Sequence, residues 1–194
     1  MALWRGFGVY AVDLGLKVRS KLGLNEFDRL DVQLLAKHYN IPILGFDQIG
    51  CDHEVLRHLT ATRHRKLSGF TIPIKTGFAV VTNPCHTEHR VRATIGHEFA
   101  HIILNHQFSV LLAGDEGCAF GSEDQEDEAK WFGAELLLPR AAAARAVRRN
   151  LSVIQVSDYF GVSVELARWR MNICGERTKL QRAGRRGDSK LNRA

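Results

Sequence analysis

Residues 97–101 read His97-Glu98-Phe99-Ala100-His101, inside a stretch where apolar residues recur at Val91, Ile95, Phe99, Ile102 and Ile103. That recurrence predicts a helix over 87–106 and constrains the fold more tightly than any other feature of the chain. Two histidines four apart on a helix lie on one face, one turn from each other, where both imidazoles can reach a single tetrahedral ion. Glu98 sits beside that face, placed to take a proton from a water that a metal has acidified. A purely structural reading competes, in which two histidines decorate the surface of an ordinary helix. It leaves unexplained why a strongly apolar helix carries three polar groups at its centre, because semi-buried polar groups need partners.

A catalytic zinc site takes three protein donors. A third histidine on the same helix fails on spacing, since position 104 is Leu104 rather than glycine and position 107 is Gln107 rather than histidine. If the helix continues, His106 lies about 140° around it from His101 and is not expected to share the site. The acidic segment 123–128, at the start of the next helix, offers carboxylates instead. With Glu126 as reference, Ala129, Gly133 and Leu137 all fall within about 60° of it at roughly 100° per residue. Glu126 therefore projects from the inward face, with Glu123 as second choice. Glu128, Asp124 and Glu135 are expected to face solvent, where Asp124, Asp127 and Glu128 complement the helix dipole. His97, His101 and Glu126 are thus the expected metal donors and Glu98 the catalytic base. One Zn2+ per chain suits this donor set, which does not by itself separate zinc from manganese or another divalent ion.

At 194 residues the chain suits one domain with a real core. Helical periodicity covers 3–22 with Gly23 as C-cap, then about 28–39, and Arg- and His-rich residues 54–66. Short β-like segments fall at 41–46, 68–74 and 77–81, the last two joined by a turn around Lys75–Thr76. A glycine-punctuated loop over 107–121 leads to the acidic helix start at Ser122 and an apolar run ending at Leu138–Pro139. Pro139 opens the next helix. Residues 151–174 form two short helices separated by Gly161, with Ser163 capping the second. The expected class is α+β: mostly helical, with a small β-sheet and a C-terminal helix pair.

Several ordered motifs run through this framework: Arg90-x-Arg92-x-Thr94-x-x-His97-Glu98-x-x-His101, then Glu126-x-x-Ala129-x-x-Phe132, then Glu135-Leu136-Leu137-Leu138-Pro139. Upstream stand Ser68-Gly69 and Asn83. Together they resemble the ImmA/IrrE family of zinc metallopeptidases over most of the chain. The resemblance implies a zincin-like domain with His97, His101 and Glu126 as metal ligands and Glu98 as base. It also implies a helix-turn-helix transcriptional repressor as protein substrate, cut to relieve repression of stress or mobile-element genes. Ala93, Gly96, Lys130 and Gly133 stand where the family more often has Phe, Ala, Asn and Ala, which puts packing rather than chemistry in question. On this reading residues 1–174 form the peptidase domain: N-terminal helices over 1–40, a catalytic core over about 41–149, and the helix pair 151–174.

The formal charge of +6 is concentrated at one end. Residues 175–194 hold seven basic residues against Glu176 and Asp188, leaving the body near neutral; the tail is expected to be disordered. No lysine or arginine occurs from Ala93 to Ala129, so the metal cleft is expected to be neutral to acidic. Cys51, Cys85, Cys118 and Cys174 lie far apart with no C-x-x-C pair, which fits a cytoplasmic protein without a disulfide framework. No uncharged apolar run is long enough to cross a bilayer. A rival reading is a DNA-binding regulator: Val153 to Arg170 has a helix–glycine–helix look, with Glu165, Arg168 and Arg170 on the second helix and the basic tail beyond. It is short for a complete helix-turn-helix domain, and a packing helix pair is preferred, leaving nucleic acid the weaker partner. A metal-binding sensor that has lost peptidase activity is the third reading. Arg90, Arg92, His86 and His89 lie near enough in sequence to stabilise an oxyanion, and Arg92 serves equally well as a structural ion-pair partner.

Overall fold

The computed structural model describes residues 3–50, 67–107 and 122–176. The helix expected over 54–66, the loop from about 107 to 121 and nearly all of the basic tail fall outside these residues. The described part is an α+β arrangement of seven helices and one three-stranded mixed sheet. Its helices are α1 (Phe7–Lys21), α2 (Val32–Tyr39), α3 (Glu88–Ile103), α4 (Glu123–Leu137), α5 (Arg140–Arg148), α6 (Val153–Phe160) and α7 (Val164–Ile173). The strands are β1 (Ile43–Gly45), β2 (Gly69–Ile74) and β3 (Gly77–Thr82), in the order β1-β3-β2.

Strands β2 and β3 form an antiparallel hairpin with Phe70 opposite Val81 and Thr71 opposite Val80, and β1 adds in parallel with Ile43 opposite Val80. Ala79, Val80 and Val81 are buried, so the central strand reads as a continuous apolar run. The sheet lies on α3, α3 packs on α4, and α1 covers the other side of α4. Phe7, Ile95, Phe99, Phe132, Leu136 and Leu137 join in one core between these layers. Each such fully buried side chain contributes about 1.5–3 kcal/mol relative to exposure.

Local chemistry sets the ends of the helices. Helix α2 begins later than its periodicity implies because Asp31, not Asp28, is the N-cap, its carboxylate accepting from the Gln33 amide. Asp28 instead closes a turn by accepting from the Asn25 amide. Ser122, Ser152 and Ser163 cap α4, α6 and α7 in the same manner as Asp31. Helix α3 ends at Ile103 because Asn105 adopts φ 56°. The amide of Asn105 then bonds the Ile102 carbonyl and the amide of His106 bonds the His101 carbonyl, the paired pattern of a Schellman cap.

Three buried arginines tie the helices to one another through carbonyls. Arg19 donates to the carbonyls of Asn25, Asp28 and Leu136, joining α1, the turn before α2 and the end of α4. Arg92 donates to the carbonyls of Leu30, Phe160 and Gly161, fastening α3 to the α6–α7 junction. Arg170 pairs with Glu135 and donates to the Leu138 carbonyl, locking α7 onto α4. These clamps bear on three sequence expectations. Arg92 is structural, but through carbonyls rather than an ion pair. Arg170 lies inside the protein, which agrees with the preferred packing helix pair and not with the rival recognition helix. Glu135 is buried rather than solvated, because the side of α4 facing away from Glu126 is covered by α1 and by the Arg170 side chain. Among the described residues no helix is long and apolar enough to cross a membrane.

Candidate metal centre

Helices α3 and α4 approach most closely where two glycines face each other. A Cβ on Gly133 would stand 2.8 Å from the Gly96 carbonyl oxygen and 3.1 Å from the Cα of His97. A Cβ on Gly96 would meet Leu137 at 3.0 Å. Two of the positions that depart from the family pattern thus complement each other, and with no side chain between them the backbones pack together. That crossing lies one residue before His97 and about two turns along α4 from Glu126.

The close approach brings three side chains to a point. His97 Nε2 and His101 Nε2 are 3.1 Å apart. The Glu126 carboxylate reaches both, with Oε2 at 3.4 Å from His97 Nε2 and Oε1 at 3.3 Å from His101 Nε2. Among the described residues these three form the one group of metal-binding type. Donors bound at 2.0–2.1 Å to a tetrahedral ion stand about 3.3 Å from one another, so the observed spacings fit a single small cation. The donor chemistry fits as well, since a carboxylate and two imidazole nitrogens face each other. Burial works to raise the Glu126 pKa, but hydrogen bonds and charge from His101 and His97 outweigh it and hold the carboxyl well below the usual range. Glu126 is therefore an anion. Glu123, the second choice, is exposed and outside the group.

Glu98 is buried on the sheet side of α3, where the Thr71 hydroxyl on β2 donates to its Oε2 at 2.7 Å. Burial pushes its pKa above the ordinary carboxylate value, and His97, Thr71 and His101 oppose that only in part. A carboxylate raised in this way is a better proton acceptor than one in water. No sequence signal pointed to Thr71, because it reaches Glu98 through the packing of β2 on α3.

His106 and Glu128 are the second omission. The Schellman cap turns the chain back, so His106 is buried with its Nδ1 at 2.9 Å from His101 Nδ1. Its Nε2 stands 3.1 Å from Oε2 of Glu128, a residue expected in solvent. Burial lowers the His106 pKa against the opposing pull of Glu128, which favours the neutral ring. The 140° separation from His101 held only for a continuing helix; an asparagine in the left-handed region ends it first. Asn105, with its tolerance of that region, was the available signal. Of the oxyanion candidates, Arg92 is engaged at the α6–α7 junction and Arg90 donates to the Ser68 hydroxyl.

No curated protein gives a significant match to the chain. The model of a peptidase family, described as the IrrE N-terminal-like domain, matches residues 52–172, a span that takes in both helices of the centre, strands β2 and β3, and the Arg92 and Arg170 side chains. With that match over more than half its length, the chain belongs to this peptidase family.

Proposed function

We propose that the protein is a zinc-dependent metallo-endopeptidase in which His97, His101 and Glu126 hold the metal and Glu98 is the general base. The convergence of two Nε2 atoms and a carboxylate at tetrahedral spacing carries this reading, and family membership supports a metallopeptidase-like activity. When bound, the zinc would supply a Lewis acid for the scissile carbonyl and acidify the attacking water. Glu98 accepts that water's proton and returns it to the leaving amine, a task matched by its raised pKa. Thr71 orients the carboxylate by donating to one of its oxygens. His97 and Glu126 are partly open, which leaves the side of the cluster away from the core accessible to a peptide.

The favoured substrate is a helix-turn-helix transcriptional repressor, a reading that rests on the resemblance of the motifs and on family membership. The cytoplasm, where such repressors work, is the proposed location. A DNA-binding role for the C-terminal helix pair is disfavoured by the burial of Arg170. The zinc-loaded protein, incubated with a purified candidate repressor, should yield two fragments whose masses define one cut. Glu98→Gln should bind zinc and leave the repressor whole. Full cleavage by that variant would remove Glu98 from the mechanism.

A further inference from the structure

A ring nitrogen binds a metal only through its lone pair, so the proton of a ligating histidine must sit on the other nitrogen. His101 presents Nε2 to the cluster and Nδ1 to His106. If Nε2 is the donor, Nδ1 carries the proton and donates it to His106 Nδ1, which must then be unprotonated. His106 consequently carries its own proton on Nε2, where the Glu128 carboxylate accepts it at 3.1 Å. The reverse assignment, with His106 donating from Nδ1, would place its Nε2 lone pair against the Glu128 anion and force the His101 proton onto Nε2, facing the cluster. The acceptor-only carboxylate at the end of the row therefore selects the direction of both hydrogen bonds.

We propose that His106 and Glu128 are positioning residues: acting in series, they hold the His101 ring in the orientation and tautomer that turn a lone pair toward Glu126 and His97. This rests on the reading of His101 as a metal donor and deepens it. Ligating histidines are commonly fixed by a carboxylate on the second nitrogen, and loss of such a partner weakens metal binding roughly 10–100-fold. Here the carboxylate acts through an intervening imidazole. His101 is wholly buried and His106 nearly so, leaving little room for water to replace either partner. Two features place the pair: the reversal at Asn105, which brings His106 back under His101, and the position of Glu128 two residues after Glu126 on α4. One helix thus supplies both the metal-facing carboxylate and the carboxylate that orients its neighbour.

The test combines zinc affinity with the protonation of the rings. Zinc dissociation constants are measured at one fixed pH, by competition with a chromophoric chelator, for the wild type and for Glu126→Ala, Glu128→Ala, Glu128→Gln, His106→Ala and Asp124→Ala. In parallel, long-range 1H–15N correlations on the zinc-loaded wild type assign the tautomers of His101 and His106. The expected result is Nδ1–H on His101 and Nε2–H on His106. Glu128→Ala and His106→Ala should bind one zinc about 10–100-fold more weakly, Glu128→Gln should recover part of the loss because its carbonyl still accepts, and Asp124→Ala should match the wild type. Wild-type affinity in both Glu128→Ala and His106→Ala, with binding abolished by Glu126→Ala, would overturn the positioning role and leave the metal site standing. An Nδ1–H tautomer on His106 would overturn it without any variant, including where His106→Ala does not fold. A wild type that binds no zinc would remove the metal site itself and this role with it.

Discussion

Glu126 and Glu135 stand on opposite sides of α4, and each anion is handled differently. Glu135 is fully buried and meets a cation built into the chain, the Arg170 guanidinium, while its other oxygen accepts from the Arg140 amide. Glu126 is half-buried and, among the described residues, its ion-pair partners are two imidazoles. At the Arg170 end one cation balances one anion, and the contacts join three elements. At the histidine end the donors are spaced for a cation to enter. A helix carrying both kinds of carboxylate separates stability from function along its length: the self-neutralised glutamate fixes α4 in place, and the other is free to bind.

Removing the internal cation has the greatest consequence for the fold. Arg170→Leu should destabilise the protein by about 3–5 kcal/mol in denaturant unfolding, because it strands a buried carboxylate. Adding Glu135→Leu to it should restore much of the loss, since a buried pair replaced by apolar groups is often neutral. A loss below about 1 kcal/mol for Arg170→Leu would make the clamp ornamental. At the other end, zinc at a thousandfold excess over its Kd should stabilise the wild type by about 4 kcal/mol, measured as a rise in Tm. Glu126→Ala should abolish that rise, and should also lower the metal-free Tm near neutral pH, because the histidine contacts that depress the Glu126 pKa stabilise the folded state there.

Gly133→Ala sharpens the link between the two ends. Its added methyl meets backbone atoms of Gly96 and His97, so α3 and α4 must separate, at a cost of about 1–3 kcal/mol partly offset by better helix propensity. Zinc affinity should fall in the same variant, because the separation widens the donor triangle. A stabilised Gly133→Ala with unaltered affinity would show that the glycine pair does not set the site's geometry.

The smallest effect concerns Glu98. Its folded pKa is raised by burial, so the folded state holds its proton more tightly than the unfolded state. In the metal-free protein stability therefore falls as pH rises from the unfolded carboxyl value through the folded one, and the full cost is present above both. Glu98→Gln should raise the metal-free unfolding free energy near neutral pH, by about 1.4 kcal/mol for each pKa unit of displacement, with the gain vanishing below about pH 4. An equal gain at all pH values would mean that packing, not charge, is responsible.

Much of this arrangement could be read before any coordinates. The α+β class, the order of the described elements, the Ser163 cap and the inward phase of Glu126 follow from local periodicity and capping chemistry, which act over a few residues. The features that escaped depend on what lies across the fold. Glu135 was assigned to solvent because helical phase distinguishes one side of α4 from the other but not what covers each. Arg92 and Arg170 looked like candidates for oxyanion or DNA contacts, whereas their partners are carbonyls and a carboxylate 32–69 residues away. His106 was set aside because the apolar pattern runs past Ile103, while the left-handed backbone of Asn105 ends the helix there.

Metal content per chain, measured by elemental analysis on the wild type and on Glu126→Ala and Glu123→Ala, tests the central contrast most directly. The predicted result is close to one zinc per chain in the wild type and in Glu123→Ala, with none in Glu126→Ala. A wild type that takes up no metal after zinc is added back, or a Glu126→Ala variant that keeps it, would contradict the claim that Glu126 waits for a cation from outside the chain.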